Sequence, residues 1–336
     1  MKDINNMKVI PVDIGWHPGL PVYASEAFLR TVSDEYGWIG GNDNSGRLRC
    51  VLPYTVIRKA GLRMVRFRVA TIPLDRELDV GEERVFLNSA MEYLRSTGSD
   101  IIIPGANSAV FRTYPEGAMV APYGTVINDL TQTEDMLWRG ISADFRNKVR
   151  KATKAGVRIQ SGIEHLECAY DLVEETLKRS DVTFRTYDEF KSIVLALGEN
   201  VRIFVAERDG IVQACLVSPF SAYAAYSWYT ATRSEPVTGA MHLLQWEAMR
   251  QFRDMGVESF NFQGVRICPQ KGSKQDGILN FKMRFGGTLV QGYVWKYSLD
   301  RLKATAYSVA VRLLKGGDIV DQEHHKLADE QALSIA

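Results

Sequence analysis

The residues best equipped for chemistry lie in one stretch, Gly277-Ile278-Leu279-Asn280-Phe281-Lys282-Met283-Arg284-Phe285-Gly286-Gly287. Lys282 stands between Phe281 and Phe285. Aromatic flanks exclude water, and a drier ammonium attracts an anionic oxygen more strongly. The Gly286-Gly287 pair allows close backbone approach or positive φ just after it. The same alternation describes an ordinary half-buried strand with Lys282 pointing at water. Residue types alone leave both readings open.

Other candidates are spread along the chain. Arg146, Lys148, Arg150, Lys151 and Lys154 form its densest run of cations, ending at Gly156. They read either as a solvated helix face or as a surface for phosphate or a nucleic-acid backbone. The stretch Arg233-Ser234-Glu235-Pro236-Val237-Thr238-Gly239-Ala240 lies between a strand and a helix, where backbone amides could hold a pyrophosphate. It has Arg233 at its start and Gly239 near its end, but lacks the spacing of a strong phosphate loop, and Pro236 removes a donor. Tyr229, in an aromatic run, is either an acceptor-groove residue or core. His242 reads as packed or surface more readily than as a base. His324 and His325 fall in a polar tail.

The elements that must position these groups follow from pattern. Ser25 caps a helix to about Tyr36, and residues 40–46 read as a turn-rich loop. Arg47–Ile57 and Leu62–Val69 read as a hairpin about Lys59-Ala60-Gly61, with Arg66 and Arg68 on a wet face. Helices are expected over 81–96, and over one continuous stretch through Leu137, Ile141, Phe145 and Val149. Ile101–Ile103 reads as a short buried strand. Later come a helix through Leu166–Leu177 and one opened by a Thr186–Glu189 capping box. Strands 201–207 and 211–218 follow about Asp209-Gly210, with a third strand over 223–230. A helix opens after Pro236, a strand spans 258–263, and a helix runs from Tyr297 to about Leu314 before a polar end. The two halves share element order, helix, hairpin, helix, strand, without sharing sequence.

With 336 residues, 46% hydrophobic and 24% charged, the chain has the composition of a soluble protein of about two domains. A net charge of +1 gives no global case for a polyanion partner, DNA included. Cys50, Cys168, Cys215 and Cys268 lack metal-ligand spacing and read as free thiols, so no metal is expected. The polar start and the absence of a long apolar run point to a cytoplasmic, non-integral protein, compatible with peripheral contact at the inner membrane surface.

Four stretches in order resemble the Fem-type aminoacyltransferases of bacterial wall synthesis: Asp144–Val157, Gly239–Met249, Gly256–Gly264 with its Phe262-Gln263-Gly264 end, and Gly277–Gly287. The resemblance covers the second half of the chain. It implies an α/β fold with mixed sheets and two tandem GNAT-like domains without a coiled-coil arm. The first would span 1–135 on the acceptor side, completed by 298–336, and the second 136–297 on the donor side. It implies aminoacyl-tRNA as donor, no bound cofactor, and a UDP-linked or lipid-linked peptidoglycan precursor as acceptor, building the interpeptide bridge. Phe281 and Lys282 would be the catalytic pair at the tRNA acceptor end. Arg146, Lys148, Arg150, Lys151, Tyr229, Arg233 and Gly239 are the accompanying substrate-binding candidates. Ile101-Ile102-Ile103-Pro104 lacks the aspartate relatives often place before this proline, and Asn261 replaces another, which is consistent with a different acceptor. The alternatives are an acyl-CoA-dependent N-acyltransferase of surface polysaccharide or lipid synthesis, and a non-catalytic binding module on the same fold.

Overall fold

The computed structural model describes residues 7–74, 78–180 and 182–324. His325 and the rest of the expected completing segment beyond 324 lie outside the described residues. In chain order the first half carries β1 (Lys8–Val12), α1 (Glu26–Val32), β2 (Glu35–Asn42), β3 (Leu48–Lys59), β4 (Leu62–Phe67), β5 (Ile72–Pro73), α2 (Val80–Ser96), β6 (Ile101–Ile102) and β7 (Met119–Asp129). Then follow α3 (Glu134–Gly140), α4 (Ala143–Lys154), β8 (Arg158–Ser161), α5 (Leu166–Lys178), α6 (Tyr187–Ala196), β9 (Val201–Arg208) and β10 (Ile211–Pro219). The chain continues through β11 (Ala225–Tyr226), β12 (Tyr229–Thr232), α7 (Ala240–Asp254), β13 (Ser259–Val265), α8 (Lys274–Met283), β14 (Thr288–Ser298) and α9 (Arg301–Lys315).

Local chemistry accounts for many of these boundaries. Ala60 and Gly61 both have positive φ between the paired Lys59 and Leu62, as do Asp209 and Gly210 between Arg208 and Ile211. These are two-residue hairpin turns whose twist matches the strands. Asp79–Glu82 and Thr186–Glu189 are complete capping boxes opening α2 and α6.

Among the described residues the strands form a mixed ten-stranded sheet, ordered β1-β2-β3-β4-β6-β14-β7-β13-β11 with β5 on β3, and a four-stranded sheet, β12-β10-β9-β8. β14 joins the two halves, pairing antiparallel with β6 on one edge and β7 on the other. Its Trp295 is buried against Phe67 and Phe111 at ring distances of 5.5 and 5.0 Å. α9 returns to the first half, where Ala304 packs with Met64, Ile101 and Ile103 and Lys303 Nζ reaches Asp100 Oδ1 at 2.7 Å.

Several expectations give way to packing. The helix from Ser25 ends at Val32, and residues 40–46 are partly β2 rather than loop. The glycines there serve close approach, since a Cβ on Gly41 would lie 2.6 Å from the Phe86 ring and one on Gly40 2.6 Å from Leu48 and Val12. The continuous helix through 137–149 breaks at Ile141 and Ser142, both extended. Gly286, at φ +83, seats its backbone on Gly140 at this break, and Ser142 N donates to Arg284 O at 2.9 Å. The alternating run from Gly277 is helical in α8, because Phe281 and Phe285 at i and i+4 share a helical face as readily as they alternate. β7 and β14 were not expected. After Gly316 the chain is not merely a polar end: 319–324 is helical, with Ile319 and Val320 packed on Ala121, Tyr123 and Val294.

Candidate active site

The site forms where the two sheets part. β11 pairs in parallel with β13 in the large sheet, whereas β12 pairs with β10 in the small one. The single strand expected over 223–230 is thus two, divided at Ser227 and Trp228. Ser227 N donates to Asn261 O at 2.9 Å and Trp228 N to Val217 O at 3.2 Å, so the segment changes partners within two residues. A cavity of about 410 Å³ opens at this splay. Ser227, Trp228 and Thr230 line one side, Phe262, Gln263 and Gly264 the other, and Phe281 and Lys282 of α8 face it.

β13 is distorted where it meets the cavity. Its register on β7 slips between Asn261 and Gly264, and Gln263 has φ +61, a left-handed conformation uncommon outside glycine. The surroundings hold it there. Asn261 Oδ1 accepts from Gln263 N at 2.6 Å and from Thr125 Oγ1 at 2.7 Å, and Gln263 Nε2 donates to Tyr23 Oη at 2.9 Å. The distortion brings two consecutive carbonyls, those of Gln263 and Gly264, to Lys282 Nζ at 3.2 and 3.0 Å.

α8 fixes the lysine from the other side. Ser273 caps it by accepting from Asp276 N, and fully buried Phe285, one residue beyond its C-cap, anchors its end between Phe262 and Phe145. Burial alone pushes the Lys282 ammonium down to about 8. Its partners are neutral carbonyls, which orient the group without neutralising it. Two of its three N–H bonds are engaged, leaving one donor for an incoming oxygen. No Asp, Glu or His lines the cavity among the described residues. His242 lies beneath, with its ring 4.3 Å from Phe145 and 5.5 Å from Phe281 and both nitrogens unpartnered. Burial lowers it to about 4, so it is neutral at physiological pH.

The remaining sequence candidates sit elsewhere. Arg146 folds back to donate to the carbonyls of Arg139 (3.0 Å) and Ile141, closing the end of α3. Lys148 pairs with Asp144 at 3.2 Å, Arg150 stacks over Trp138 at 5.5 Å, and Lys151 is exposed. None of the four lines the cavity. Tyr229 packs against Phe184 and Trp228, and its neighbours Trp228 and Thr230 face the opening instead. Gly239, at φ +88, lies under α4, where a Cβ would come within 2.1 Å of the Lys148 carbonyl. Gln213 Oε1 already accepts from Val237 N at 3.1 Å, and Arg233 N is spent on Gln213 O. The 233–240 loop therefore directs two of its amides inward.

A second cavity, about 590 Å³, was missed by sequence reasoning. Thr31 and Val32, Arg68, and Arg185, Asp188, Glu189, Ser192 and Ile193 line it. Burial, reinforced by the nearby Arg66 and Arg185 charges, pushes Arg68 down to about 9. Arg68 Nε donates to neutral Thr55 Oγ1 at 2.9 Å, and the Nε groups of Arg66 and Arg185 have no hydrogen-bond partner. The wet face expected over 62–69 is therefore only half wet, with the Arg66 and Arg68 guanidinium groups part-buried. The signal was present in Arg66-Phe67-Arg68, but nothing local distinguishes a solvated cation from a buried one.

A family model described as an acetyltransferase (GNAT) domain matches residues 140–275. Among solved structures, the crystal structure of FemX superposes with a TM-score of 0.66 at 16% identity, covering 89% of this chain and 99% of that one. The C-terminal domain of a putative lysylphosphatidylglycerol synthetase from Agrobacterium fabrum gives 0.52 at 14% identity, covering 88% and 97%. L-PGS from Bacillus licheniformis gives 0.51 at 11%, covering 85% and 91%. By sequence, no curated protein matches. The chain thus has the mixed α/β fold of two tandem GNAT-like domains that the resemblance implied.

Proposed function

We propose that this protein is an aminoacyltransferase. It would move an amino acid from aminoacyl-tRNA to an amine of a peptidoglycan precursor stem peptide. The observation that carries the reading is Lys282: a half-buried, desolvated ammonium held by two neutral carbonyls at the parting of the sheets, with one donor unspent. The fold shared with FemX supports it.

In this reaction the neutral amine attacks the ester carbonyl carbon, a C–N bond forms, and the carbonyl oxygen becomes an oxyanion. Lys282 meets that oxygen with its third N–H at about 3 Å, a contact that strengthens as charge develops. Collapse breaks the ester C–O bond and releases the tRNA ribose hydroxyl, whose proton comes from the attacking amine. With no carboxylate or imidazole among the described residues that line the cavity, the substrates themselves or a relayed water carry that proton. Phe281 keeps the site dry. The Arg68–Arg185 cavity takes an anionic group of the acceptor.

Purified protein is offered labelled aminoacyl-tRNA from a mixed charged pool, with UDP-linked pentapeptide or lipid-linked precursor as acceptor, beside Lys282→Met. Label passing from tRNA to the stem peptide, and lost in the variant, is the expected result. Acyl-CoA donors form a parallel arm, because the matched family model is an acetyltransferase one. Label passing only from acyl-CoA replaces this reading with that of a CoA-dependent N-acyltransferase. The same unimpaired activity in Lys282→Met removes the lysine from the chemistry.

A further inference from the structure

α9 has two faces of unequal use. Inward, Ala304 is buried and Tyr307 joins it against Met64, Ile101 and Leu62. Outward, Leu302, Val309, Leu313 and Leu314 are 85%, 53%, 81% and 82% exposed. Leu302, Ala306, Val309 and Leu313, at i, i+4, i+7 and i+11, fall on one side of the helix, and Leu314 widens the stripe. Isolated surface apolar residues need no explanation; a stripe of large ones along one helix does.

Charge identifies the partner. Helical geometry puts Arg301 and Arg312 on one edge of the stripe, Lys303 on the other side is already held by Asp100, and Arg301–Lys315 contains no acidic residue. A second copy of this helix laid on the first would bring cations to cations with no carboxylate from either helix to meet them. An anionic lipid surface offers both complements: apolar chains for the leucines and phosphate headgroups for the flanking cations. At 15 residues α9 is too short to span a bilayer, and no helix among the described residues is long and apolar enough to do so.

We propose that α9 is an interfacial anchor that seats this protein on an anionic membrane, with Leu302, Val309, Leu313 and Leu314 entering the headgroup boundary. This anchor stands apart from the group transferred. If the acceptor is lipid-linked, it also brings the site to its substrate.

The test is co-sedimentation of the full chain with vesicles of phosphatidylglycerol mixed into phosphatidylcholine, and with phosphatidylcholine alone. Leu302→Gln/Leu313→Gln and Arg301→Gln/Arg312→Gln run beside the wild type, each checked by thermal melting. The expected result is binding to the anionic vesicles only, weakened at about 0.5 M NaCl. The leucine pair should cost roughly tenfold or more in affinity, and the arginine pair roughly tenfold. Absence of wild-type binding, or binding unchanged in the leucine variant, overturns the proposal. So does self-association that the leucine variant abolishes without any vesicle binding, which would assign the stripe to a second copy. Transfer to a soluble acceptor, measured without vesicles, should be equal in wild type and leucine variant, so failure of the anchor is distinguishable from failure of the transfer reading.

Discussion

Two lysines of this molecule, Lys296 buried and Lys282 half-buried, are put to opposite uses. Lys296, on β14, has two carboxylates within reach, Asp318 Oδ2 at 3.0 Å and Asp321 Oδ1 at 2.6 Å. The aspartates also cap one another's backbone, Asp318 N to Asp321 Oδ2 and Asp321 N to Asp318 Oδ1. That lysine is a clamp holding 319–324 on the sheet, its charge neutralised on the spot. Among the described residues Lys282 has only the carbonyls of Gln263 and Gly264. Its desolvation is left largely uncompensated, which is why its ammonium falls to about 8. A buried cation with its counter-charge built in stabilises a fold, whereas one without awaits a counter-charge from outside.

The comparison is open to direct attack. The largest stability effect expected is that of Lys296→Met, which strands the buried Asp321 carboxylate and the half-buried Asp318 and should cost about 3–5 kcal/mol in denaturant unfolding, with activity per folded molecule retained. Lys282→Met should do the reverse. It should lower kcat about 10²–10³-fold and shift stability by less than about 1 kcal/mol, lost hydrogen bonds and relieved desolvation offsetting each other. Equal stability losses in the two variants would erase the distinction.

The two lysines also predict separate pH windows. If Lys282 acts as an ammonium, as proposed, kcat should fall about tenfold per unit above pH 8 as it deprotonates. Its folded pKa lies below the unfolded 10.5, so the unfolded chain binds more protons between pH 8 and 10.5. This group alone makes stability rise with pH across that window, an increment absent from Lys282→Met. For Asp321, burial would raise the carboxyl, but the hydrogen bond from Lys296 and the others it accepts hold it below 3.8. The stability it contributes is present above the unfolded value and lost as pH falls through the lower folded one. Acid titration should therefore loosen the clamp only below about pH 4. The smallest effect expected is that of Asn261→Ala, which frees the Gln263 bulge and should lower kcat a few-fold, with stability falling by about 1 kcal/mol.

Much of the fold was legible because its signals are local. The hairpin turns at Ala60-Gly61 and Asp209-Gly210, the capping boxes at Asp79 and Thr186, and the amphipathic α2, α5 and α7 need only neighbours within a few residues. The resemblance of four ordered stretches supplied the tandem arrangement. Less legible was any segment whose conformation answers a distant partner. The glycines of β2 look like turn residues until Phe86 and Leu48 are packed on them. The break between α3 and α4 is invisible until Gly286 seats on Gly140. In the site, Lys282 and Phe281 were singled out from their own neighbours, whereas Asn261, Gln263 and Gly264 entered only through the resemblance and not as the bulge that holds the lysine, because a bulge is a relation between strands.

The sequence by itself determined a two-domain α/β chain with a lysine boxed by phenylalanines near its end and free thiols. Only the tertiary structure decided that this lysine lies on a helix, faces carbonyls and is half-buried. Arg68, read as wetted, is half-buried over a cavity, and the cations of α4, read either as a solvated face or as an anion-binding surface, have separate surroundings. The physical reason is common to all. Which residues are charged is written in the covalent chain, but whether a charge is hydrated, paired or unspent depends on groups brought through space.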